Sequence, residues 1–182
     1  MTAEMDLRML GPDDVEAYIQ HIVRSNTESG RAGAPHSHAY DSNETWDTVA
    51  AIARERVRWN RPTTGCGWRR AWGLFDDDRL VGHLHLGGGE IPSEQHRVDL
   101  GMGILGSHQR LGGGRRLLEA GIAWARSLAH VDWVDLGVFT DNGPAHALYV
   151  SAGFIDRGIT RDRYRVDGTS LDERLMTLSV GG

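Results

Sequence analysis

Two short stretches of this 182-residue chain carry residue types that can do chemistry. The first is His108-Gln109-Arg110-Leu111-Gly112-Gly113-Gly114-Arg115-Arg116, between an apolar run and a helix-like stripe. Glycine lets a backbone approach a ligand closely and adopt dihedrals that other residues resist. The first amides of a helix have no partner inside it, and the helix dipole adds positive potential there. A glycine-rich turn opening a helix therefore suits a pyrophosphate, with Gln109, Arg110 and Arg115 as added side-chain donors. No Gly-Lys-Ser/Thr is present, which disfavours a magnesium-dependent P-loop, and the glycines do not fit a dinucleotide fingerprint. A plain connection with solvated arginines explains the segment as well, and a nucleotide on the same helix end is a third reading. The second stretch, Asp141-Asn142-Gly143-Pro144-Ala145-His146-Ala147-Leu148-Tyr149-Val150-Ser151-Ala152-Gly153-Phe154, follows the next strand directly.

Other reactive side chains are sparse. The single cysteine, Cys66, rules out an internal disulfide and a thiolate-rich metal site. His83 and His85 alternate on one strand, and His36 and His38 share a loop, but a zinc site needs further ligands in a defined geometry, so no metal is expected. All 20 basic residues are arginine, and the formal charge of -5 speaks against a general nucleic-acid binder. No apolar run approaches the ~18–20 residues that cross a bilayer. The first ten residues do not read as a secretory signal, so a cytoplasmic location is expected.

The elements that must position these residues alternate between strand and helix, so the fold class is mixed α/β in one domain, 1–182. A strand at 6–10 precedes a helix begun at Pro12, whose apolar side follows Val15, Ile19, Ile22 and Val23. The polar segment 29–45 is a loop, and Ser42-Asn43-Glu44 caps a second helix running to Trp59. Strands at 72–75 and 80–86 form a hairpin, with Gly87-Gly88-Gly89 breaking the second. A strand at 98–105 leads to the glycine turn and a helix over 114–129, striped by Leu117, Leu118, Ile122, Ala125 and Leu128. Then come a strand at 133–140, a short helix from Gly143 closed by Gly153, and two strands at 160–166 and 174–180 about the Asp167-Gly168 turn.

With both stretches in place, the chain resembles the GNAT superfamily of N-acetyltransferases. That family's acyl-CoA motif, Gln/Arg-x-x-Gly-x-Gly/Ala opening a helix, is matched by Gln109 to Gly114. Its downstream Asn-x-x-Ala-x-x-Leu-Tyr-x-x-x-Gly-Phe is matched by Asn142, Ala145, Leu148, Tyr149, Gly153 and Phe154. One departure is Gly106, where many members have proline. The resemblance implies a central mixed, mainly antiparallel seven-stranded sheet flanked by helices, with strands 4 and 5 splayed apart at a bulge. It implies acetyl-CoA in that gap, its pantetheine on the backbone of Gly103, Ile104 and Leu105. The pyrophosphate would lie on the turn from Gln109 through Arg110, Leu111, Gly112, Gly113 and Gly114 to Arg115, with Asn142, Ala145 and Tyr149 beside the cofactor.

The implied activity is direct acetyl transfer to a primary amine of a small molecule or peptide, with no nucleic-acid or membrane partner and with a homodimer allowed. The amide near Ile104 would polarise the thioester carbonyl. Tyr149 is the expected general acid, because a leaving thiolate of pKa about 8.5 gains from a phenol of pKa about 10. An amine of pKa ~10.4 also needs a proton acceptor at neutral pH. The position expected to hold it is Val98, which cannot serve, leaving His96, then Glu90, then Asp99 as candidates. That gap motivates the rival reading, a non-catalytic acyl-CoA-binding or sensing module of the same fold.

Overall fold

The computed structural model describes residues 5–181. Seven strands form one sheet in the order β1-β2-β3-β4-β5-β7-β6. They are β1 (Asp6–Met9), β2 (Arg69–Asp76), β3 (Arg79–Gly88), β4 (Arg97–Ile104), β5 (Trp133–Phe139), β6 (Ile155–Val166) and β7 (Thr169–Ser179). Four α-helices cover it: α1 (Val15–Glu28), α2 (Thr48–Asn60), α3 (Gly113–Arg126) and α4 (Gly143–Ser151). Every neighbouring pair is antiparallel except β4 and β5.

The sheet separates two apolar layers. On one face Leu74, Leu84, Leu86, Val98 and Leu100 meet Leu117, Leu118 and Ile122 of α3, and Tyr149 of α4 joins the same cluster. Each fully buried leucine there contributes roughly 1.5–3 kcal/mol by leaving water. On the other face Val15, Tyr18 and Ile19 of α1 and Ala51 and Trp59 of α2 pack on Ala71, Phe75 and Leu80. This second layer also buries polar groups: His21, Glu55 and His83 are all at most 2% exposed.

The central feature is the β4–β5 pair. It holds for only three residue pairs, Arg97↔Trp133, Val98↔Val134 and Asp99↔Asp135. Beyond it, β4 stays paired to β3 through Gly82↔Ile104, and β5 stays paired to β7 through Phe139↔Glu173. Each strand keeps its outer ladder, so the twist carried by the two halves of the sheet separates them. The expected bulge is not what opens the gap. β4 runs against β3 without a register shift, and the irregularities lie in the β2–β3 and β6–β7 ladders.

Local chemistry moved some boundaries. Asp47, not Ser42-Asn43-Glu44, caps α2, its carboxylate accepting from the Ala50 amide at 2.9 Å. Gly87 and Gly88 continue β3 because both still pair with β4. β6 and β7 are longer than their apolar runs suggest, turning at Asp167 and Gly168, both at positive φ.

Burial has a pH signature. Desolvation pushes His21 and His38 down to about 4 and holds His83 and His85 well below the usual imidazole value. A histidine depressed on folding favours the unfolded state once pH falls below its unfolded value of ~6.5. Stability is therefore expected to be full above pH ~6.5 and to fall toward pH 4 by about 1.4 kcal/mol per pH unit for each histidine. Urea midpoints measured from pH 7 to 4.5 check this, and a flat profile refutes it.

Candidate functional site

The glycine-rich turn joins β4 to α3 and is pinned from several sides. The Gly106 amide donates to Glu28 Oε2 at the end of α1 at 2.7 Å. His108 pairs with Asp76 at 3.1 Å, and Arg116 donates to the Met5 carbonyl at 2.7 Å. Arg110 (φ 62°) and Gly112 (φ 83°) are left-handed, which curls the intervening amides toward a common point. Gly112 is the N-cap of α3, and no side chain caps the helix. The first amides of α3 are thus available to an external acceptor. Gln109 is committed otherwise, since its side-chain amide donates to the Ile104 carbonyl at 3.0 Å. Gly113 is buried, and a Cβ there would strike the Leu74 side chain.

The gap between β4 and β5 begins beside this turn. In an antiparallel ladder, successive residues turn their amides and carbonyls alternately toward the partner and away. Leu105 N–H donates to Val81 of β3 at 2.9 Å. Gly103 and Leu105 therefore address β3, while Met102 and Ile104 present backbone groups to the gap. On the α3 side of the gap, a Cβ on Gly114 would lie 3.2 Å from Leu148 Cδ2 and 3.5 Å from Ile104 Cδ1. A groove of about 270 Å3 continues between α3 and α4, with Arg115 at its rim and Leu118, Ile122, Leu148 and Ala152 among its walls.

Asn142 caps α4, its side-chain oxygen accepting from Ala145 N at 3.2 Å, while its amide donates to the His36 carbonyl at 3.0 Å. His36 also pairs with Asp141 at 2.7 Å. Further along the same loop, Ser42 donates to Asp167 of the β6–β7 turn and Asp41 accepts from the Asp167 amide. The α1–α2 loop is thus strapped across the open end of the sheet. Tyr149 is buried with its ring edge-on to Phe154 at 5.8 Å. Burial pushes its phenol up to about 12, so it remains protonated at neutral pH.

The three base candidates separate. His96 precedes β4 and is exposed, and its carbonyl accepts the Asp132 and Trp133 amides at the closed end of the gap. Glu90 is exposed and paired with Arg58 at 2.9 Å, again at that end. Asp99 occupies the last β4–β5 pair on the face opposite Val98, toward α1 and α2. Although Asp99 is an exposed residue, protein atoms crowd its carboxyl, and desolvation followed by repulsion from Asp135 and Glu94 raises its pKa.

Two further polar groups flank the gap on that face. Gly101 pairs with His85, whose Nε2 lies 2.7 Å from where a Gly101 Cβ would be. On the other lip, the Glu173 carboxyl carbon lies 2.7 Å from where a Gly137 Cβ would be. The alternation of His83-His85 and of Gly101-Gly103 was visible in the chain; their mutual register was not.

An open β4–β5 gap with an uncapped, glycine-rich helix start at its mouth is the arrangement that the resemblance to the GNAT superfamily implied. The profile of the acetyltransferase (GNAT) family matches residues 35–154, more than half of the chain, and the chain belongs to that family. Among solved structures it is similar to an acetyltransferase of the GNAT family from Streptococcus pneumoniae, at 20% identity and TM-score 0.81 over 97% of this chain and 99% of that one. It is also similar to a putative acetyltransferase from Salmonella typhimurium, solved with its cofactor acetyl-CoA, at 18% identity and TM-score 0.79 over 97% and 94% of the two chains. A ribosomal-protein-alanine N-acetyltransferase from Brucella melitensis aligns at 18% identity and TM-score 0.76, over 96% of this chain and 99% of that one.

Gly113→Ala tests how tightly the turn is built. Overpacking against Leu74 is expected to cost roughly 1–3 kcal/mol, read as a lowered melting temperature. Wild-type stability would show that the turn is looser than described.

Proposed function

We propose that the chain is a single N-acetyltransferase domain, 1–182, which moves an acetyl group from acetyl-CoA directly to a primary amine of a small molecule or peptide. The observation that carries this reading is the parting of β4 and β5 after Asp99↔Asp135, with the open amides of α3 at the mouth of the gap.

The fit to the cofactor rests on the chain's own groups. A diphosphate needs several converging donors, and the amides from Leu111 to Arg115 supply them without a competing cap. Arg115, at the rim of the α3–α4 groove, adds charge. A pantetheine chain pairs like an extended strand, and Met102 and Ile104 offer gap-facing backbone groups for it. Acetyl-CoA supplies the activated acyl group and a thiolate leaving group. The Ile104 or Met102 N–H would stabilise charge on the acyl oxygen, worth about 10²–10³ in rate for such a donor. Tyr149 stands on the α4 side as proton donor to the sulfur. Asp99 is the best placed of the three base candidates, because it alone sits at the apex of the gap and on the face reached from α1 and α2.

Thiol release from acetyl-CoA, measured across a panel of primary amines, tests the proposal. Amine-dependent release supports it; tight cofactor binding with no release by any amine favours a binding module. Calorimetric preference for ATP or NAD over acetyl-CoA refutes both. Tyr149→Phe is expected to lower kcat by about 10²-fold, within the range for a general acid, with acetyl-CoA affinity retained. Unchanged turnover at every pH would remove Tyr149 from that role.

A further inference from the structure

β4 and β5 run parallel and in register at Asp99↔Asp135. Two residues further along each strand, on the same face, stand Gly101 and Gly137. These are the first positions on that face after the strands separate, and neither has a side chain to offer. The space over each is filled from the next strand outward. His85 of β3 leans over Gly101, and Glu173 of β7 leans over Gly137. An imidazole and a carboxylate therefore stand on opposite lips of the gap at one level. Asp99 lies one step short of them, where β4 and β5 are still paired.

His85 is held for a role at Nε2. Its Nδ1 is 3.1 Å from the Tyr18 hydroxyl, and Nε2 has no hydrogen-bond partner among the described residues. With Nδ1–H donated to Tyr18, the Nε2 lone pair points away from α1. The charged and titratable groups around His85 are Tyr18 on α1, Arg58 on α2, Arg69 on β2, stacked His83 on β3 and His38 in the α1–α2 loop. Arg69 is itself paired with buried Glu55 at 3.0 Å. Burial first, then these arginines, hold its pKa well below the usual imidazole value, so the ring is neutral when the amine arrives and is a weak base that passes its proton on at once to solvent. Among the described residues Glu173 is paired only with half-exposed Arg163, at 3.4 Å. Arg163 is solvent-screened on its side of this long pair, so an incoming ammonium can displace it.

We propose that His85 and Glu173 form the acceptor-amine subsite: Glu173 holds the ammonium and His85 takes its proton. This rests on the acetyl-transfer reading and supplies the base that Val98 cannot. The ammonium gives one proton to His85 Nε2, and the freed lone pair forms the C–N bond at the acyl carbon. The C–S bond breaks, and the thiolate takes the proton held by Tyr149. A second nitrogen proton returns through solvent to Tyr149, and His85 releases its own to solvent. One ammonium and one thioester thus give one amide, one thiol and one proton.

The test uses the full chain with His85→Gln and Glu173→Gln, acetyl-CoA, and the primary amines that the wild type accepts, from pH 5.5 to 9.5. His85→Gln is expected to lower kcat at pH 7 by about 10²-fold. Its residual rate should climb about tenfold per pH unit as free amine accumulates, with acetyl-CoA affinity unchanged. Glu173→Gln is expected to raise KM for the amine about tenfold while kcat is nearly kept. Should either glutamine variant fail to fold, Gly101→Ala displaces the His85 ring, and Gly137→Ala, at an exposed strand position, displaces the Glu173 carboxylate; the same kcat and KM changes are expected. Wild-type kcat across the pH range without His85, or an unaltered KM without Glu173, overturns the assignment and leaves acetyl transfer standing. A wild type that releases no thiol with any amine overturns both.

Discussion

Everything in this molecule that bears on chemistry follows from how little of β4 is bonded to β5. At the closed end the two strands are clamped. Arg97 makes two 2.6 Å hydrogen bonds to Asp135, which also accepts from Thr177 of β7 at 2.7 Å. One step past that clamp the ladder stops, while each strand keeps its pairing to its outer neighbour. A sheet that abandons a ladder within its interior leaves peptide groups unpaired, and those groups require another partner. The opening therefore exposes main-chain groups of β4 and β5 along its length.

The two faces of the opening differ in kind. Toward α3 and α4 it is apolar and ends in a helix start rich in free amides, suited to a long ligand with an anionic tail. Toward α1 and α2 it is polar, lined by imidazoles, carboxylates and a buried Glu55–Arg69 pair. Burying such groups costs free energy unless they are paired. Among the described residues, His21 finds no hydrogen-bond partner for either ring nitrogen, and His83 finds none for Nδ1. A layer carrying that cost is not the cheapest way to pack a helix on a sheet, and it separates the α1–α2 side from the hydrocarbon layer beneath α3.

The glycine-rich helix start and the short helix α4 were legible because they are local in sequence. Gly112-Gly113-Gly114 before an apolar stripe, and Asn142 through Phe154 after a strand, need only their neighbours to be understood. The placing of His85 and Glu173 on the two lips of the gap was not legible, because it is made by register. His85 becomes relevant only once it is known to stand opposite Gly101, and Glu173 only once β7 is known to lie beside β5. Counting back along β4 could at best reach Val98, His96 and Asp99. The misplaced start of α2 has the same origin. Both Ser42 and Asp47 are good caps in isolation, and tertiary bonding draws Ser42 to Asp167 instead.

The strap formed by the α1–α2 loop couples regions that a diagram of the fold would keep apart. A single asparagine, Asn142, both starts α4 and grips the loop through the His36 carbonyl, while Asp167 grips the same loop from the β6–β7 turn. Substitutions in the loop are thereby constrained at both anchors. Between them His38 is held through its main chain by Ser29 and Tyr40 packs on Trp46, and the residues at the anchors answer to the helix that carries Tyr149.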